Sequence, residues 1–134
     1  MYSDDFAKLW YKLSKDLRLH MDAQLAPSLT ESQLNVLEFI MNHDQVKPSD
    51  LIEFVATTPA AITTLMDRME KNGLIVRERD TSDRRIVWLR LTPKGEAEGG
   101  RGIAIRREFL DQYLSRISAH NQQLLIYLLG KISG

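Results

Sequence analysis

Apolar side chains fall three and four residues apart at Phe6, Leu9, Trp10, Leu13, Leu17, Met21 and Leu25, which predicts one face of a long amphipathic helix ending before Pro27. The acidic start around Asp4 and Asp5 is expected to be flexible. Further on, Thr30 stands three residues before Gln33, the spacing of a capping box, ahead of Leu34, Leu37, Phe39, Ile40 and Met41. A second helix over about residues 31 to 42 follows from it. Pro48 sets the start of a short helix over about residues 49 to 56, with Ser49 as its cap and Leu51, Ile52 and Val55 as its apolar positions. After a break at Thr57, Thr58 precedes Pro59. Proline at a first helical position lacks only an N–H that would be unpaired there anyway, so a helix over about 59 to 72 is predicted. Ile62, Leu65, Met66 and Met69 form its buried stripe, and Gly73 closes it in a left-handed conformation. Two helices joined by so short a turn predict a helix-turn-helix.

The period changes after Gly73. Ile75 to Arg79 and Arg85 to Leu91 alternate β-branched, aromatic and charged residues, and Asp80-Thr81-Ser82-Asp83 between them is turn chemistry, so a hairpin is predicted. Thr92-Pro93 repeats the helix-start signal. Ile103, Ile105, Phe109, Tyr113, Leu114 and Ile117 then keep helical spacing, Ser118 offers a further cap, and Leu124, Leu125, Leu128, Leu129 and Ile132 run to the end. Gly99, Gly100 and Gly102 lie in the first turns of this helix, each costing about 1 kcal/mol relative to alanine in a helix interior. The cluster is read as a hinge softening the join between hairpin and helical base, with close helix packing as the alternative. The expected fold class is mainly α (α+β): a winged helix-turn-helix over residues 29–99, with N- and C-terminal helices over 1–28 and 100–134 forming a dimerisation base, in one structural unit.

The length, 134 residues, agrees with a single domain, and the absence of cysteine excludes disulfides, thiolate metal sites and thiol-based sensing. No apolar run approaches the roughly 20 residues needed to cross a bilayer, and the start is acidic where a signal peptide would be basic, so a cytoplasmic location is expected. The net charge of zero conceals an uneven distribution. Residues 1–57 carry five Lys/Arg against nine Asp/Glu, residues 58–95 eight against five, and residues 96–134 five against four. The only appreciable positive excess therefore coincides with the second helix of the helix-turn-helix and the hairpin.

Three blocks in order, Met69-Glu70-Lys71-Asn72-Gly73-Leu74-Ile75, Asp80-Thr81-Ser82-Asp83-Arg84-Arg85 and Leu91-Thr92-Pro93-Lys94-Gly95, resemble the MarR family of bacterial transcription regulators. The resemblance covers nearly the whole chain. It implies a homodimer whose two winged helices stand on a shared helical base and read a near-palindromic operator in double-stranded DNA, most often as a repressor. Read this way, the compact residues Thr58, Pro59, Ala60, Ala61, Thr63 and Thr64 let the helix backbone approach base edges in the major groove. Thr64 stands where many family members carry a basic residue, so guanine readout from that position is not implied. The resemblance carries over to Asp83 steadying Arg85, the arginine placed to enter the minor groove. Arg68, Lys71, Arg77, Arg79, Arg84 and Arg90 are candidates for phosphate contacts, which fix register without reading sequence.

The faces carrying Phe6, Leu9, Trp10, Leu13, Leu17, Tyr113, Ile117, Leu124, Leu128 and Ile132 are too apolar for so small a domain to cover alone, which points to a dimer over an intramolecular bundle. The resemblance further implies a small aromatic or anionic effector, with Trp10, Tyr11, His20, Met21 and Met41 as candidate pocket residues. No cofactor and no metal are expected. His20, His43 and His120 are scattered and no catalytic motif is present, so the chain is not expected to be an enzyme. A winged helix serving protein–protein contact without DNA is the other reading of the same fold.

Overall fold

The computed structural model describes residues 1–55 and 57–134. Helix α1 spans Tyr2–Leu25, starting earlier than its apolar stripe. Asp4 and Asp5 lie in its first turn, where carboxylates favour the positive end of the helix dipole, so the expected flexible start is helical instead. Ala26, just before Pro27, is extended and ends the helix. Helix α2, Glu31–Met41, opens on the expected reciprocal cap: the Gln33 N–H donates to Thr30 Oγ1 at 3.2 Å, and the Thr30 N–H to Gln33 Oε1 at 3.1 Å.

Helix α3, Pro48–Phe54, begins one residue earlier than expected. Pro48 rather than Ser49 takes the first helical position, because Asp50 reaches back to accept the Lys47 N–H at 2.9 Å and so fixes the start at Lys47. The last residue assigned to this helix from sequence, Ala56, lies outside the described residues. Helix α4, Pro59–Lys71, is capped by Thr58, whose hydroxyl accepts the Ala61 N–H at 3.2 Å. It closes at Gly73, φ +75°, with the Leu74 N–H on the Met69 carbonyl (2.9 Å) and the Gly73 N–H on that of Glu70 (3.0 Å).

Strands β1, Ile75–Arg79, and β2, Val87–Leu91, pair antiparallel from Ile75↔Leu91 to Arg79↔Val87. The second strand starts two residues later than predicted. The Asp80 backbone N–H donates to the Ile86 carbonyl at 2.9 Å and closes a turn of residues 80 to 86, which takes in Arg85. A single bridge, Leu89 N–H to the Val46 carbonyl at 2.8 Å, adds a third chain segment beside β2. Helix α5, Pro93–Leu114, is capped by Thr92 Oγ1, which accepts the Gly95 N–H at 2.9 Å, and α6, Ala119–Ser133, by Ser118, which accepts the Asn121 N–H at 3.1 Å.

The core joins the C-terminal end of α1 (Met21, Leu25) to Leu34 and Leu37, Leu51, Ile62, Met66 and Met69, and Leu74, Ile75 and Leu89. Each such buried side chain contributes about 1.5–3 kcal/mol. Helix α5 reaches this core through glycines. A Cβ on Gly95 would lie 2.0 Å from the Leu74 carbonyl oxygen, one on Gly99 2.9 Å from Met41 Sδ, and one on Gly102 2.6 Å from Leu34 Cδ1. The helix runs unbroken through all of them, so the hinge reading gives way to close packing for Gly99 and Gly102, while Gly100 meets nothing within 4 Å. Polar ties complete the join. Arg101 donates to the carbonyls of Gln24 and Leu25 (both 3.2 Å), to Ser28 (2.9 Å) and to Glu98 (2.9 Å), and it holds the Glu98 carboxyl below its usual range. Tyr113 donates to Asp16 at 2.7 Å, linking α5 to α1.

Candidate nucleic-acid interface

The N-terminal turns of α4 face solvent. Thr58, Ala60, Ala61, Thr63 and Thr64 are exposed with Pro59 among them, while Ile62, Met66 and Met69 bury the opposite face. The amphipathic spacing thus turns the compact residues outward. The hydroxyls of Thr63 and Thr64 donate to the carbonyls of Pro59 (3.0 Å) and Ala60 (3.1 Å), which uses their protons and leaves their oxygens able to accept. Thr58 is committed to the cap.

The second element is the turn between β1 and β2. Asp83 grips Arg85 in two parallel bonds, Nε to Oδ1 and Nη2 to Oδ2, both 3.0 Å, and also accepts the Arg85 N–H at 3.1 Å. The pairing lowers the Asp83 pKa, with the Arg85 side chain as the leading cause, and raises that of Arg85 for the same reason. The Arg85 side chain is nevertheless 90% exposed. It is paired with Asp83 and open to solvent.

The six phosphate candidates divide. Arg77 lies on the core-facing side of β1 and is held by Asp67 and by Glu70 (3.8 Å) of α4, so it ties the hairpin to the helix. Arg79 donates to the Arg84 carbonyl at 2.7 Å, and Arg90 lies 4.0 Å from Glu78. Arg68, Lys71 and Arg84 are exposed and have no acidic partner within 4 Å among the described residues. Sequence reasoning missed Asp80 and Trp88. Asp80 accepts the N–H groups of Ser82 (2.9 Å) and Asp83 (2.8 Å) on one oxygen and the Trp88 indole N–H (3.0 Å) on the other. The signal was an aspartate opening the turn with a lone tryptophan on the returning strand.

The candidate dimer residues separate by position. Leu17 and Tyr113 are half-buried, Leu17 against the core, whereas Phe6, Leu9 (62% exposed), Trp10 (60%), Leu13, Ile117, Leu124, Leu128 and Ile132 (69%) lie open. Among the described residues of α6, none is buried. The candidate effector residues do not converge. Trp10 and Tyr11 stand on the exposed half of α1, Met21 is in the core, Met41 abuts Gly99, and His20 stacks on Phe109 at 4.4 Å. A hollow beside His20 is lined by Gln24, Ile105, Glu108, Phe109 and Gln112 and holds none of the other four. Among the described residues, no cluster suited to a metal ion is present, and no helix is long and apolar enough to cross a membrane.

A capped helix presenting small residues, followed by a two-stranded hairpin with an arginine at its tip, defines a winged helix-turn-helix protein, the architecture of DNA-binding regulators. The MarR family model matches residues 29–87. The transcriptional regulator HosA of Escherichia coli O157:H7 is 35% identical over 108 residues, 79% of this chain and 78% of that protein. The HTH-type transcriptional repressor MdtR of Bacillus subtilis is 29% identical over 125 residues, 93% of this chain and 79% of that one. A crystal structure of mutant MarR from E. coli complexed with operator DNA superposes with a TM-score of 0.77 at 25% identity, over 96% of this chain and 93% of the other. The chain belongs to the MarR family, and is thereby a DNA-binding transcription regulator and not an enzyme.

Proposed function

We propose that the protein is a homodimeric bacterial repressor that acts in the cytoplasm, laying α4 in the major groove of a near-palindromic operator and Arg85 in the adjoining minor groove. The observation that carries this is the pairing of an open, compact α4 N-terminus with an arginine bonded twice by Asp83 yet almost fully exposed. Small residues let a helix backbone come close to base edges, and an arginine fits the negative potential of a narrow minor groove. Arg68, Lys71 and Arg84 supply phosphate contacts around these two readers. Repression follows the relative MdtR, which is itself a repressor.

Two copies are needed because, among the described residues, the first half of α1 and all of α6 leave their apolar side chains exposed. A two-fold pair presents two α4 helices to successive major-groove faces, which is why a near-palindrome is the matching operator. The rival reading is a winged helix for protein contact alone. Titrating promoter fragments at rising salt separates the two. Affinity should fall by orders of magnitude between about 50 and 200 mM salt, since phosphate contacts release counterions. No duplex binding at the lowest salt would overturn the proposal and favour the protein-contact module.

A further inference from the structure

The turn that carries Arg85 is shaped by two side chains, Asp80 at its start and Trp88 on the returning strand. Asp80 spends one carboxylate oxygen on the backbone of the turn, accepting from Ser82 and Asp83, and the other on the Trp88 indole N–H at 3.0 Å. The first pair of bonds gives the chain the curvature that brings Asp83 round. The third anchors this aspartate to β2, where Trp88 sits opposite Glu78 in the register. Strand residues two apart share a face, so Glu78, Asp80 and Trp88 lie on one side of the hairpin and the indole can reach the carboxylate. The Asp80 carboxyl is held below its ordinary range, with the Trp88 bond as the leading cause, which marks the charged form as the one that makes these contacts. Asp83, whose own N–H is pinned by Asp80, is the residue that grips Arg85. An arginine presented on a free seven-residue turn would lose conformational freedom on entering a groove; one presented on a braced turn has lost it already.

We propose that Asp80 and Trp88 form a positioning pair for DNA binding, acting through Asp83 to aim Arg85 at the minor groove. The inference rests on the wing reading above, and the two can fail separately. The test measures Kd by fluorescence anisotropy for a duplex recovered by selection from a random-sequence pool, using full-length Trp88→Phe, Asp80→Asn, Arg85→Ala and the double variants with Arg85→Ala. Asparagine keeps a carbonyl oxygen for the turn N–H groups but loses the charged acceptor for the indole, so Asp80→Asn should behave as Trp88→Phe does. Each should weaken binding by about 3- to 10-fold, the range of one hydrogen bond, with the helical circular dichroism unchanged. The decisive readout is coupling: in the Arg85→Ala background neither should weaken binding further, an outcome that a general loss of stability would not give. Equal affinity for Trp88→Phe and wild type, or full additivity with Arg85→Ala, overturns the positioning pair while leaving the wing in place. No effect of Arg85→Ala removes the wing reading and the pair with it.

Discussion

Arg85 carries the sharpest expectation at the scale of single residues. Its guanidinium has given up two of its bonding directions to Asp83 and keeps the rest of its surface for a partner. Arg85→Ala should weaken operator binding by about 1–3 kcal/mol, most where the flanks are A·T-rich, as measured by titration of matched duplexes. An unchanged Kd would remove the wing from the interface. Acid probes the same turn. The pKa of Asp80 is lowered by the Trp88 indole N–H and by the N–H groups of Asp83 and Ser82, and that of Asp83 by Arg85. Groups with depressed folded-state pKa values contribute their full stabilisation above the ordinary aspartate value of about 3.9 and lose it as pH falls through the lower folded value. The Trp88 indole N–H resonance should therefore hold its position down to about pH 4 and shift only below it. A midpoint clearly above that would mean that Asp80 is not its acceptor. The Asp83–Arg85 pair was legible in the sequence through the resemblance, whereas the Asp80–Trp88 bond was not, because it depends on the strand register that sets Trp88 opposite Glu78.

Elements were legible to the extent that their ends carry chemistry. Thr30, Thr58, Thr92 and Ser118 cap the helices expected of them, since each places an oxygen over N–H groups that the helix leaves free. Helix α3 shows the limit: Pro48, Ser49 and Asp50 all suit a helix start, and only the reach of Asp50 back to Lys47 decides between them. The bridge at Val46 left no periodic trace because one residue has no period. The glycines of α5 were visible as a cost but not as a cause, and their partners, Leu74, Met41 and Leu34, come from distant parts of the chain. Their roles now separate by substitution. Gly95→Ala should be the most destabilising in thermal unfolding, because its Cβ meets a backbone carbonyl that cannot turn aside. Gly102→Ala should cost about 1–3 kcal/mol by crowding the buried Leu34 side chain. Gly100→Ala should stabilise by about 0.5–1 kcal/mol, since nothing lies near it and glycine lowers helix propensity. Equal effects at the three positions would contradict the packing account.

The whole molecule combines a reading head with an apolar frame that a single chain leaves open. The core is drawn from the C-terminal end of α1, helices α2 to α4 and the hairpin, while the first half of α1 and all of α6 keep Phe6, Leu9, Trp10, Leu124, Leu128 and Ile132 in solvent. Both faces read in sequence as amphipathic stripes, but periodicity says only that a face is apolar, not which surface covers it. If the cover is a second copy, a charge placed in it should separate the subunits. Leu124→Asp with Leu128→Asp should sediment as a monomer, keep the winged-helix core and lose most of its operator affinity; a persisting dimer would assign the faces elsewhere. Paired winged helices should read DNA by sequence, which selection of bound duplexes from a random pool measures. A two-fold-symmetric site should be enriched, with half-sites about one helical turn apart and A·T-rich positions where Arg85 enters the minor groove. Recovery of no enriched sequence at low salt, or of a site without two-fold symmetry, would contradict it.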